Sequence, residues 1–275
     1  MKLIDFDGLF DEKLAQYMSE NKEKHTEKQW EDVIPKLYKK FGDTHIAKIG
    51  CTPKEYYARM SDQALVEILS QHLQQDVPVP EFLCAEIESR GEVETLLPLL
   101  ESNETQTVAY AVNLIGDDAR AFDGYFSILA ENRLDEDIRS DLADILRLHA
   151  DEVKEKALQI YYEGKAKTYM LEILSRVCEK TDEVYALLLK EFYAAEDSSL
   201  YAGYLAAYGD ERALPILLRR IEDRSIGFVE FQELKYAVEA LGGEYNEPRD
   251  FSNDKDYLAI EVASAKSTEA DGLKS

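Results

Sequence analysis

The sequence predicts an all-α protein, built for much of its length from short helical hairpins that repeat. Three observations carry this expectation. Apolar residues recur with helical spacing almost everywhere, while alternating runs flanked by hairpin dipeptides are missing. The 13 Gly and 7 Pro fall mostly where helices would begin or end. Asp117, Asp151, Asp182 and Asp210 follow apparent helix ends at intervals of 34, 31 and 28 residues, which is the length of a helix pair too small to bury its own apolar face.

The 275 residues, 45% of them hydrophobic, suffice for a sizeable core. A formal charge of -24 opposes nucleic-acid and anionic-membrane partners, whose binding needs clustered Lys and Arg. Met1 to Asp7 lack the features of a secretory signal, and no apolar run reaches the roughly 20 residues that span a bilayer. A cytoplasmic location is expected. Cys51, Cys84 and Cys178 show no CxxC spacing and read as buried small hydrophobes.

Residues 1–90 read as an irregular helical region. Thr26-Glu27-Lys28-Gln29 and Thr52-Pro53-Lys54-Glu55 are capping-box patterns, with Trp30 one position further on as a core anchor. Ser61 opens a helix whose apolar face holds Ala64, Leu65, Ile68, Leu69 and Leu73. Asp76-Val77-Pro78-Val79-Pro80 must be extended, because each proline disfavours helix in the residue before it, so it is the candidate boundary. Residues 91–245 carry the repeat, with Gly116 and Gly209 at helix ends and Leu241-Gly242-Gly243 closing a fifth unit. An Asp at each restart suits a helix N-terminus, where it caps free N–H groups. Residues 246–275 form a C-terminal cap, Tyr257 to Ala263, followed by a tail expected to fray.

Gly209 to Asp223, followed by Ala237-Val238-Glu239-Ala240-Leu241-Gly242, resembles a HEAT-like repeat of the short, PBS-lyase type. Leu97-Pro98-Leu99-Leu100 matches the Leu214-Pro215-Ile216-Leu217 portion, with Ala109, Ala111, Leu114 and Gly116 similar to its second helix. The middle units keep only spacing and apolar pattern. The resemblance implies an α-solenoid of about five hairpins over residues 91–245, whose second helices line a concave surface.

Residues 91–245 hold 16 basic and 32 acidic side chains, so their polar faces are carboxylate-rich. Such a face keeps the chain soluble, and as a binding surface it would steer a basic protein or peptide. Tyr201, Tyr204 and Tyr208 fall at i, i+3 and i+7 on one helix face. Tyr110 and Tyr236 each precede a repeat-ending glycine by six residues. The five tyrosines are the candidate partner-binding set, either lining a groove or packing between repeats with their hydroxyls at the rim.

Catalytic, cofactor and metal sites are not expected. Leu3-Ile4-Asp5-Phe6-Asp7-Gly8 is similar to the nucleophile motif of haloacid dehalogenase-type phosphatases, and Ile115-Gly116-Asp117-Asp118 imitates that family's magnesium motif. That chemistry needs a parallel sheet, and Leu9 stands where the family usually has Thr. Asp5 to Gly8 also lacks the spacing of a calcium loop. His25, His45, His72 and His149 occupy separate elements without metal-ligand spacing, and no phosphate-binding glycine loop is present. The leading expectation is a non-enzymatic scaffold. The alternatives are an enzyme, either the phosphatase through Asp5 and Asp7 or a HEAT-like lyase, or a functional module within residues 1–90.

Overall fold

The structure, a computed structural model, describes residues 3–21, 24, 26–260 and 262–263. Among these it forms helices joined by short turns and no strand, apart from an isolated bridge between Ile46 and Cys51. The all-α expectation therefore holds. His25 and the tail from residue 264 lie outside the described residues.

Two compact units, Met1–Leu142 and Ala143–Ser275, divide the chain. The Asp76–Pro80 segment is irregular, as its prolines require, yet the helices on either side of it pack together. The packing division and the division expected at residue 90 thus measure different things: compactness in one case, sequence periodicity in the other.

The first unit contains α1 (Phe6–Glu20), α2 (Glu27–Gly42), α3 (Pro53–Ala58), α4 (Asp62–Gln74), α5 (Glu81–Arg90), α6 (Thr105–Ile115) and α7 (Phe122–Ala130). Helix α8 (Glu136–Leu148) carries the dividing point. The first four helices each start on a side-chain acceptor, whereas α5, α6 and α7 have none. Asp5 takes the Gly8 N–H at 2.7 Å, and Ser61 takes that of Ala64 at 3.3 Å. Thr26 with Gln29, and Thr52 with Glu55, form reciprocal capping boxes, so two orphan donors are satisfied at each helix entry. Phe6, Tyr57, Leu65, Leu69 and Leu83 are fully buried, and Trp30 is buried with Tyr17 edge-on to it at 6.1 Å.

In the second unit α9 (Ala150–Tyr162) pairs with α10 (Lys167–Leu174), α11 (Asp182–Ala194) with α12 (Ser199–Tyr208), and α13 (Leu214–Ile221) with α14 (Phe228–Ala240). Helix α12 also lies against both α10 and α14, which places the second helices of the three hairpins side by side. The C-terminal segment closes this unit differently from the expectation. Phe251 and Tyr257 pack on Phe228, and Asp254 accepts the Phe228 N–H at 3.0 Å, while Leu258, Ile260 and Val262 stay exposed.

The restart aspartates do not all cap in the way their spacing suggests. Asp210 accepts the Arg212 N–H and grips its guanidinium, but the residue that does the same upstream is Asp118, through Arg120, not Asp117. The shared unit is Asp-x-Arg-Ala, shifted by one residue. Asp182 is the first residue of α11, whose cap is Thr181, and Asp151 reaches across to the Cys178 N–H at 2.8 Å. Cys178 is exposed and Cys84 half-buried, so only Cys51 is the buried small hydrophobe expected of all three.

A different side chain links successive elements. Arg90 donates to the Met60 carbonyl at 2.7 Å, Arg133 to those of Leu100 and Ser102, Arg220 to that of Glu196, and Arg249 to that of Ile221. Each arginine reaches back some 24 to 33 residues to carbonyls at or just beyond a helical C-terminus, which have no partner within their own helix. Arg90 also pairs with Asp62 and Glu86. We expect Arg90→Ala to lower stability by about 1–2 kcal/mol, the range for a half-exposed charge-assisted contact. Urea midpoints measure the effect, and Arg90→Met, which keeps the stem, should recover little of it.

Candidate functional site

The second unit carries a cleft of about 430 Å³ between α10, α12 and α14. Its walls are Glu172, Ser175 and Arg176 from α10 and the turn after it, Ser199, Leu200, Gly203, Tyr204 and Ala207 from α12, and Glu233 from α14. A buried polar knot sets this geometry. One Glu230 oxygen accepts from the Ser198 hydroxyl at 2.6 Å and N–H at 3.2 Å, just ahead of α12, and from the Arg220 guanidinium at 2.8 Å, at the end of α13. Because Glu230 lies in the first turn of α14, helices α12, α13 and α14 converge on one carboxylate. Glu230 is removed from water while Arg220 stays partly exposed, so it is the carboxylate that depends on its partners.

Gly203 lies in the middle of α12 where no turn requires it. A Cβ there would meet nothing within 4 Å, so the glycine leaves α12 bare at the cleft. Beside it Leu200 is 48% exposed, and on α14 Tyr236 is 61% exposed. Glu172 is tied to Arg147 at 3.2 Å, whereas Arg176 and Glu233 form no ion pair among the described residues. An unpaired cation and an unpaired anion therefore face the same opening.

The five tyrosines separate. Tyr204, 8% exposed, lines the cleft, with Tyr201 edge-on at 6.1 Å. Burial pushes the Tyr204 phenol above its ordinary range. Tyr208 is fully buried: its hydroxyl accepts the Thr181 N–H at 2.6 Å and donates to the Thr181 carbonyl, and the Lys180 ammonium lies 4.4 Å from the ring centre. It bolts the end of α12 to the start of α11 and presents nothing to a ligand. The i, i+3, i+7 spacing is correct, but the face it defines turns inward toward its C-terminal end. Tyr110 belongs to the first unit, half-buried in a pocket of about 150 Å³ with His72, Gln106 and the Val77–Val79 turn. Sequence reasoning passed over Gly203, although a lone glycine inside the apolar run from Leu200 to Tyr208 was the available signal.

The phosphatase-like residues have other employment. Asp5 is the α1 cap, and the Asp7 carboxylate accepts from the Tyr38 hydroxyl at 2.6 Å. Without strands among the described residues, no sheet presents Asp5, Asp7 and Asp117 together. Burial raises the Asp7 carboxyl above the usual carboxylate range, partly opposed by the Tyr38 hydrogen bond. Nearby, His72 is fully buried with neither ring nitrogen hydrogen-bonded, an arrangement that costs about 1–3 kcal/mol per unsatisfied group.

No protein family, no curated protein and no solved structure matches this chain.

Two outcomes follow from this geometry. Gly203→Ala should raise stability by about 0.5–1 kcal/mol, since helix propensity improves and space is open; denaturant midpoints test it. For Asp7, a carboxyl raised on folding favours the protonated form, so the folded state is penalised as pH rises through that range and relieved below it. Asp7→Asn, which keeps the acceptor for Tyr38, should therefore melt higher than the parent at neutral pH. The difference should shrink on acidification, as followed by circular dichroism.

Proposed function

We propose that this protein is a non-enzymatic binding scaffold, a run of HEAT-like helical hairpins that holds a protein or peptide segment with a basic residue against the α10–α12–α14 face. The observation that carries this reading is Gly203. A residue that weakens its own helix and relieves no clash stands where a partner's backbone can approach closely. The surroundings suit a peptide: Leu200 in the cleft wall and Tyr236 elsewhere on α14 offer exposed apolar area, Glu233 would receive a basic side chain, and Arg176 can donate to a carbonyl. Excess carboxylate across residues 91–245 would steer such a segment toward the surface. The resemblance to PBS-lyase-type HEAT repeats agrees with three hairpins aligned through their second helices.

The reading is tested by affinity purification with the full chain, its Gly203→Leu variant and its Tyr236→Ala variant. Both substitutions lie on exposed positions and should leave the helical signal intact. Partners held by the parent should elute as salt rises, because rim charges are screened, and should fall by about tenfold or more on Gly203→Leu, as blocking a central contact does. Recovery of the same partners at the same level by both variants would remove the reading.

A further inference from the structure

The hairpin of α1 and α2 is sparsely anchored. Phe6 and Phe10 are the buried residues of the fifteen in α1, and Trp30, Phe41 and Gly42 those of the sixteen in α2. Between the helices lies an open groove of about 180 Å³. Its α1 wall is Phe10, Leu14 and Tyr17, at i, i+4 and i+7, and its α2 wall is Leu37 and Phe41, with Thr44 just beyond. These walls are almost entirely carbon. The groove is open to solvent on one side, so a guest laid in it would cover apolar wall that now faces water.

Two further residues complete the lining, Lys13 and Lys40, and no acidic side chain joins them. The Lys13 ammonium sits 5.0 Å from the centre of the Phe41 ring, and among the described residues neither lysine forms an ion pair. In a chain with 56 acidic and 32 basic side chains, an apolar groove whose charged lining residues are two lysines and no carboxylate runs against the composition.

We infer that this groove binds an amphiphilic carboxylate, a free medium-chain fatty acid, with its tail between Phe10, Leu14, Tyr17, Leu37 and Phe41 and its carboxylate at Lys13 and Lys40. Each part of the guest answers a part of the site. The tail removes apolar wall from water, at about 0.8 kcal/mol per buried methylene. The head accepts charge-assisted hydrogen bonds from the two ammonium groups. The chain's overall negative field weakens over a Debye length of about 8 Å at physiological salt, so the contacting lysines govern selectivity. This site is in the first unit and is independent of the cleft beside Gly203.

Trp30, the chain's one tryptophan, touches the wall residue Tyr17 edge-on and serves as the reporter. The full chain is titrated with octanoate below its micellar range, and in parallel with octanol and octylamine, while Trp30 emission is followed. Octanoate should give a saturable change at about tenfold lower concentration than octanol, the scale of a charge-assisted contact, and octylamine should bind weakest. Lys13→Gln with Lys40→Gln, both at exposed positions, should bring octanoate to the octanol level while leaving octanol unchanged. No saturable response to octanoate, equal binding of octylamine, or indifference to the double substitution would overturn the inference. So would an emission change that tracks protein concentration together with dimer formation by sedimentation, which would assign the face to a second copy of the chain.

Discussion

A hairpin of two short helices has almost no interior, and it ends in carbonyl groups that nothing within the helix can satisfy. Both deficits must be met by the next element along the chain, and in this protein arginine meets the second. Arg90, Arg133, Arg220 and Arg249 each place a guanidinium on carbonyls some thirty residues earlier. The fork of donors is suited to this task, since one side chain can serve several acceptors and keep its charge while half-buried. Arg133 spans Leu100, Glu101 and Ser102 in this way. Apolar stripes bring neighbouring elements together, and the arginines fix where along each other they stop.

The cleft inherits its shape from the same device. Arg220 reaches back to Glu196, and its other nitrogens hold Glu230, which in turn holds Ser198. Four consecutive stretches of chain, the end of α11, the start of α12, the end of α13 and the start of α14, are tied at one point near the base of the α12–α14 pair. With both ends of that geometry fixed, α12 can tolerate a glycine at its centre. The stability that Gly203 forgoes is small beside what the knot and the flanking Leu205 and Tyr208 supply through burial.

Local signals were legible in the sequence and relational ones were not. The caps at Thr26, Thr52 and Ser61, the break at Pro78 and Pro80, and the left-handed glycines at 116, 209 and 242 follow from a few adjacent residues, and each stands where those residues require. Asp151 illustrates the opposite case. Its place in the first turn of α9 looks like a cap, but its oxygen is used by Cys178, 27 residues on, and no spacing rule contains that partner. The inward position of Tyr208 has the same origin. Helical periodicity fixes which residues share a face, but which sector of that face meets solvent depends on where α11 and α14 lie.

Many of the seventeen tyrosines serve the packing of the helices. A ring that buries its body and satisfies its hydroxyl on a neighbouring element fits where phenylalanine would leave a polar neighbour unpaired. Tyr125 donates to the Gly116 carbonyl at 2.7 Å, Tyr38 to Asp7, Tyr161 to Glu191 at 2.5 Å, and Tyr208 closes on Thr181. Even Tyr162, which is largely exposed, gives its hydroxyl to Glu183. Against that background the informative tyrosine is the one the scaffold leaves unused. Tyr236 is exposed on the helix that also carries Glu233, one turn away, and it has neither ring contact nor hydroxyl partner among the described residues. An aromatic side chain gains nothing for the fold from that position, so in the proposed complex its ring is free for a partner, as the buried Tyr204 and Tyr208 of α12 are not.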